Sequence, residues 1–151
     1  MSALPLHPAV NHFPVVTSLL AACCMLLAAL RPRQRSEWVL RGLLLLGVAL
    51  AALPVVMGSG RSWSAAQGLW PRSVALPPAR ALNGLLRWHV LGAGVSAVLV
   101  ALGLVLALAF RRGRLALWPV LLVVLAAALA TGITARVGGQ MAFGDPPEAG
   151  P

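Results

Sequence analysis

The sequence predicts an all-α integral membrane protein, a bundle of four transmembrane helices arranged as two antiparallel hairpins. Three observations predict it. Only 10% of the 151 residues are charged and 60% are hydrophobic, whereas a soluble domain carries about a quarter charged residues. That leaves too little polar material to cover a water-facing surface. Four apolar runs are each long enough to cross about 30 Å of hydrocarbon at about 1.5 Å per residue. The basic residues, all twelve of them arginine, fall between those runs or close to their ends, where basic residues set membrane topology.

The first span is predicted over 13–30, "FPVVTSLLAACCMLLAAL", and the "RPRQR" cluster ends it. Residues 1–11 hold no basic side chain, so the positive segment of a cleavable signal is missing and this run is expected to stay as an anchor. The second span is predicted over 38–57, with Arg41 near enough to its start to snorkel. The third covers 88–110 and stops at "RRGR"; the fourth covers 115–135. Short connections after the first and third spans make each pair an antiparallel hairpin, within a single membrane domain covering 1–151. The 58–87 stretch is expected to be an outer loop. It carries Trp63 and Trp70, which suit an interfacial segment, and Pro77-Pro78, after which "ARALNGLLR" leads as helix into the third span.

Orientation follows from the arginines. Arg31, Arg33, Arg35, Arg41, Arg111, Arg112 and Arg114 belong to the two short connections, on one side of an even-numbered bundle. Arg61, Arg72, Arg80, Arg87 and Arg136 are spread over the other side. Basic residues concentrated in short loops mark the cytoplasmic face. The expectation is therefore a multi-pass protein of the bacterial cytoplasmic (inner) membrane with both termini outside.

Composition also excludes function classes. The net charge of +9 is topological rather than a nucleic-acid footprint, because the arginines do not line one face. Cys23 and Cys24 are sequence neighbours, about 100° apart on a helix, a poor arrangement for a disulfide or a shared metal; small apolar filler is the expected role. The acids are Glu37, Asp145 and Glu148. None lies inside a span, so a carboxylate proton relay is missing, and no Ser-His-acid set can be assembled. The chain is not expected to be an enzyme.

The histidines are the remaining chemistry. There are three, His7, His12 and His89. The first and third spans run in the same direction. His12 lies 19 residues before Arg31 and His89 lies 22 before Arg111, heights of about 28 and 33 Å above the inner boundary. His7 precedes the same mouth, and Arg136, 22 residues after Arg114, reaches that level from the fourth span. On the third span the stripe through His89 continues as Ala93, Ser96, Ala97 and Ala101, and small residues at that spacing mark close helix approach. His89 is thus expected to face inward, as a functional-site candidate. Two imidazoles on parallel helices suit the axial positions of a b-type haem. Arg80, Arg87 and Arg136 stand where its propionates would emerge, and Gly92, Gly94, Gly138 and Gly139 would let a flat macrocycle approach backbone. His12 and His89 are the predicted metal ligands, and His7 a backup ligand or an orienting partner.

A plainer interpretation stands beside this one. His12 caps the first helix, while His89 snorkels beside Trp88 or hydrogen-bonds a nearby carbonyl. Three histidines in 151 residues is an ordinary frequency. A bare copper or zinc site is disfavoured, because no carboxylate or thiol lies at that level to complete it, and Met57 and Met141 read as packing.

The opening "HPAVNHFPVV", His89 at the start of the third span and "TGITARVGGQMAFGDP" after the fourth together resemble a family of small bacterial four-helix membrane proteins known as a domain of unknown function. The resemblance covers about residues 5–145. Its matching positions are His7, His12, His89, Gly138 and Gly139. Some relatives look like modules beside Rieske-type or c-type cytochrome units, which implies electron transfer. Similar proteins often carry histidines shortly before and after the Gly-Gly pair, where this chain has Arg136 and Phe143, so at most one haem site is implied here.

Two functions follow as expectations. One is a b-type haem electron-transfer module ligated by His12 and His89 and serving an extracytoplasmic redox protein. The other is a structural or accessory subunit of a larger membrane complex, with no cofactor of its own. Membrane lipid is a partner in both; nucleic acid is a partner in neither.

Overall fold

The computed structural model describes the backbone of residues 6–66 and 84–143, and side chains over 13–56, at 84 and over 87–138. Four helices account for almost all of it: α1 Leu6–Leu30, α2 Arg35–Ala66, α3 Gly84–Arg111 and α4 Leu117–Phe143. Four stretches are long and apolar enough to cross a membrane, namely Phe13–Leu30, Pro32–Val56, which begins in the turn before α2, Arg87–Arg111 and Leu117–Gly138. These agree with the four predicted spans to within a few residues, apart from the start of the second. The protein is a multi-pass four-helix membrane bundle.

α1 packs chiefly on α2 and α4, and α3 on α4 and α2. The helices therefore follow one another around the bundle in chain order, with α1 and α3 on one diagonal. The α1–α2 and α3–α4 connections share one end, which holds the arginine clusters. His7, His12 and His89 belong to the other.

Buried positions recur at alternating spacings of three and four. In α4 they are Leu117, Val120, Val124, Ala127, Thr131 and Thr134; in α1 they are Pro14, Ser18, Ala21, Met25 and Ala28. That spacing averages 3.5 residues, so one seam stays turned to the neighbours along the whole helix. Much of the seam is small. A Cβ added at Gly42 would lie 2.7 Å from Cε of Met25, and one at Gly103 would lie 3.1 Å from Val124. Lipid tails are as apolar as leucine, so close contact rather than flight from water holds membrane helices together. Accordingly many large apolar side chains point outward: Leu30, Leu44, Val98, Leu122 and Leu129 are each more than three-fifths exposed, while Met25, Leu46 and Leu121 fill the core.

Most buried hydroxyls close onto their own helices, although that of Ser18, fully buried on α1, meets no hydrogen-bond partner among the described residues. Thr17 donates to the carbonyls of Phe13 (2.8 Å) and Pro14 (3.2 Å), and Thr131 to that of Ala127 (2.7 Å). Such bonds let a hydroxyl sit in a low-dielectric core without a missing partner.

One difference from the predicted layout concerns the stretch 58–87: α2 continues through Gly58-Ser59-Gly60 to Ala66. α3 is helical from Gly84, within the "ARALNGLLR" expected to lead as helix into the third span. The helices thus project beyond the hydrocarbon, and Trp63 lies on α2. Trp70, Pro77-Pro78 and Arg80 lie outside the described residues.

The short connections are built by local rules. Pro32 cannot continue α1; a single 3-10 turn, Pro32–Gln34, follows, and Arg35 Nε donates to the carbonyl of Ala28 at 3.2 Å, serving an otherwise orphan acceptor at the helix end. α3 closes with the N–H of Arg114 on the carbonyl of Ala109 (3.0 Å) and that of Gly113 on Phe110 (2.9 Å), with Gly113 at φ +70°. This is the Schellman arrangement, and its left-handed residue favours glycine. Gly113→Ala is expected to lower stability by about 1 kcal/mol, read as a shift in thermal or SDS unfolding of the detergent-solubilised protein. Unchanged unfolding would show that the turn absorbs the Cβ by another route.

Candidate functional site

His89 lies in the second turn of α3, half-buried. Its Nδ1 is 3.1 Å from the main-chain carbonyl oxygen of Thr134 on α4. A carbonyl only accepts, so Nδ1 must carry the proton and donate. In the neutral ring this leaves Nε2 as the nitrogen with the free lone pair.

The approach depends on Gly138. A Cβ there would lie 2.8 Å from Cε1 of His89 and 3.2 Å from Nδ1, closer than real contacts allow. The imidazole thus rests on bare backbone, over the turn of α4 between Thr134 and Gly138. The same contact sets helix level, because Gly138 lies 21 residues from the start of α4 and His89 lies 22 from the end of α3, about 32 and 33 Å from the arginine-rich end.

One turn below the imidazole, the hydroxyl of Thr134 donates to the carbonyl of Ala130 (2.8 Å) and lies 3.5 Å from that of Ser96, which itself bonds the carbonyl of Gly92 (2.8 Å). A Cβ on Gly92 would stand 2.5 Å from Oγ1 of Thr134. Thr134 is therefore the hub of the α3–α4 contact. Its carbonyl receives His89, and its hydroxyl fills the notch left by Gly92. The expected stripe on α3 holds at Ser96 and shifts beyond it: the buried line runs through Ser96, Val100, Gly103 and Ala107, while Ala93, Ala97 and Ala101 are only half-buried, as is Gly92.

Of the predicted site residues, His89 and Gly138 are brought together. Arg87 is exposed near the start of α3. Arg136 is exposed as well, and at two residues from both Thr134 and Gly138 it lies on the opposite face of α4. The backbones of His7, His12 and Gly139 lie in α1 and α4; the side chains of His7 and His12 lie outside the described residues. α1 stands diagonally across the bundle from α3, so His12 belongs to the helix facing His89 rather than to a helix beside it. Among the described residues no three His, Cys, Asp or Glu side chains come together. Cys23 is exposed and Cys24 buried, and both are free thiols. Thr134 was not among the residues singled out in the sequence; its only signal there is a hydroxyl residue three positions after Thr131 in an otherwise apolar run.

Comparison with protein-family models, with curated proteins and with solved structures gives no match for this chain.

Gly138→Ala is expected to push the ring off α4. Nitrogen NMR of the imidazole would then lose the Nδ1–H signature seen in the parent protein, with destabilisation of about 1–3 kcal/mol; an unaltered signature would disprove the cradle. Gly92 and Gly94 offer a second contrast, since a Cβ at Gly94 meets nothing within 4 Å. Gly94→Ala should raise stability by about 0.5–1 kcal/mol through helix propensity, while Gly92→Ala should lower it. The two unfolding midpoints, compared with the parent's, check both signs.

Proposed function

We propose that this small integral membrane protein is a b-type haem electron-transfer module of the bacterial inner membrane. Its histidine end faces outside, and His89 and His12 would hold the haem iron. The observation that carries this is the hydrogen bond from Nδ1 of His89 to the carbonyl of Thr134. A ligating histidine characteristically donates its second nitrogen to a carbonyl or carboxylate, which fixes the tautomer and the ring plane and makes the ligating nitrogen more basic. His89 has that arrangement, with Nε2 left as the basic nitrogen.

The donor set fits the group. Neutral imidazole ligates haem iron, and haem, when bound, supplies one-electron exchange. The chain contributes orientation and charge. Thr134 and Gly138 hold the His89 ring, and His12 would be the second ligand, from α1. Arg87 and Arg136, which lie on the far faces of α3 and α4 from the ring, would have to reach round to offset the propionates, a role Arg80 would share. Gly139 would extend the side-chain-free stretch begun by Gly138, and His7 would orient the site or substitute as a ligand. The resemblance of "HPAVNHFPVV" and the Gly-Gly pair to a family with members beside Rieske-type and c-type cytochrome units supports an extracytoplasmic redox protein as partner. The concentration of arginines in the short connections supports both termini lying outside.

The completeness of the α3–α4 contact favours a second interpretation. The same bond locks two helices without any cofactor, as suits a structural or accessory subunit of a larger membrane complex. Absorption spectra of the purified protein, oxidised and dithionite-reduced, after expression with ample haem, separate the two. The haem module predicts a Soret band with sharp reduced α and β bands, lost in His12→Ala and in His89→Ala at unchanged protein yield. His7→Ala should keep the haem and shift its spectrum or potential. A spectrum without haem bands, persisting through haem titration, removes the haem assignment and leaves the accessory subunit, to be sought by co-purification from native membranes.

A further inference from the structure

The chemistry of the opposite end is not used by the histidine site. The fold brings the α1–α2 and α3–α4 connections to that end, and because α1 packs on α4 and α2 on α3, the two connections lie side by side. Arg31, Arg33, Arg111, Arg112 and Arg114 are all exposed there. The nearest acid, Glu37, is taken by Arg41 at 3.8 Å, whose guanidinium also lies 4.5 Å from the centre of the Trp38 ring. Arg35 is committed to the carbonyl of Ala28. Among the described residues no carboxylate pairs with the other five.

Depth specifies the partner. Trp118, two-thirds exposed, is the second residue of α4, and indoles settle at the interface between hydrocarbon and headgroups. That places the five guanidiniums at the level of lipid phosphates. All are arginine, whose planar fork grips a phosphate through two parallel hydrogen bonds, which lysine cannot do.

We propose that this end is a binding site for an anionic phospholipid, and best for one with two phosphates. Arg31 and Arg33 take one phosphate, and Arg111, Arg112 and Arg114 take the other. A diphosphatidylglycerol headgroup has that chemistry, and basic clusters between transmembrane helices suit it. Bound in this way, the lipid clamps the two hairpins together at the end remote from the histidines.

Native mass spectrometry of the detergent-solubilised protein tests the proposal, with tetraoleoyl diphosphatidylglycerol, dioleoyl phosphatidylglycerol and dioleoyl phosphatidylcholine as probes. Retention is expected to fall in that order. Removing a guanidinium should weaken binding of the two-phosphate lipid about fivefold, so Arg31→Gln with Arg33→Gln, or Arg111→Gln with Arg112→Gln, should weaken it by at least about tenfold. Helix content by circular dichroism should stay unchanged, since these side chains are on the surface. Equal retention of phosphatidylcholine, or undiminished retention by both double variants, would overturn the site. Displacement by equimolar inorganic pyrophosphate would also overturn it, by showing that the arginines serve a soluble phosphate.

Discussion

Lipid removes the force that folds soluble proteins, and this chain is organised around that loss. Between apolar tails, two leucine-rich helices gain nothing from hiding from the solvent. They must gain it from dispersion at short range and from polar groups that have no other partner. The seam of glycine, alanine, serine and threonine follows from this, as do the large side chains turned outward. Where Gly42 meets Met25 and Gly103 meets Val124, a side-chain atom rests in the space a Cβ would occupy. The hydroxyls of Thr17, Ser96, Thr131 and Thr134 are bound within their own helices, so they allow close approach without leaving an unpaired polar atom.

The same constraint explains how the two ends differ. At the arginine-rich end the chain reverses in a few residues, and geometry is set by a proline, a glycine and hydrogen bonds to the last carbonyls. At the histidine end the α3–α4 pair is closed by contact between helices, with the His89 ring bridging to the backbone of α4. The α3–α4 pair is therefore pinned twice, near both ends of the bundle.

Much of the architecture was legible in the sequence. Crossing hydrocarbon demands a minimum apolar length, and the Arg-Pro and Arg-Arg-Gly boundaries fell where Leu30 and Arg111 end their helices. The extension of α2 to Ala66 was not legible. Gly58-Ser59-Gly60 has the composition of a break, yet near the membrane boundary a helix is the only local means of pairing every backbone group. The rotation of α3 was legible at Ser96 but not beyond it, where Val100 rather than Ala97 or Ala101 is buried, because no charged face sets the phase of so apolar a helix. At the site, His89 and Gly138 were legible as residue types that stand out in an apolar chain. The role of Thr134 was not, because the atom that receives the imidazole is a main-chain carbonyl, which every residue type possesses.

That last point bears on how the chain can change over evolutionary time. An imidazole steered by a carboxylate can be cut loose by one substitution at its partner. Here the acceptor is encoded by no codon, and replacing Thr134 with a residue small enough for the Gly92 notch leaves the oxygen in place. Control of the ring passes to Gly138, where the genetic requirement is for the absence of a side chain. Drift at 134 is thus buffered and drift at 138 is not, so the ring's orientation is inherited through an empty position rather than a reactive one.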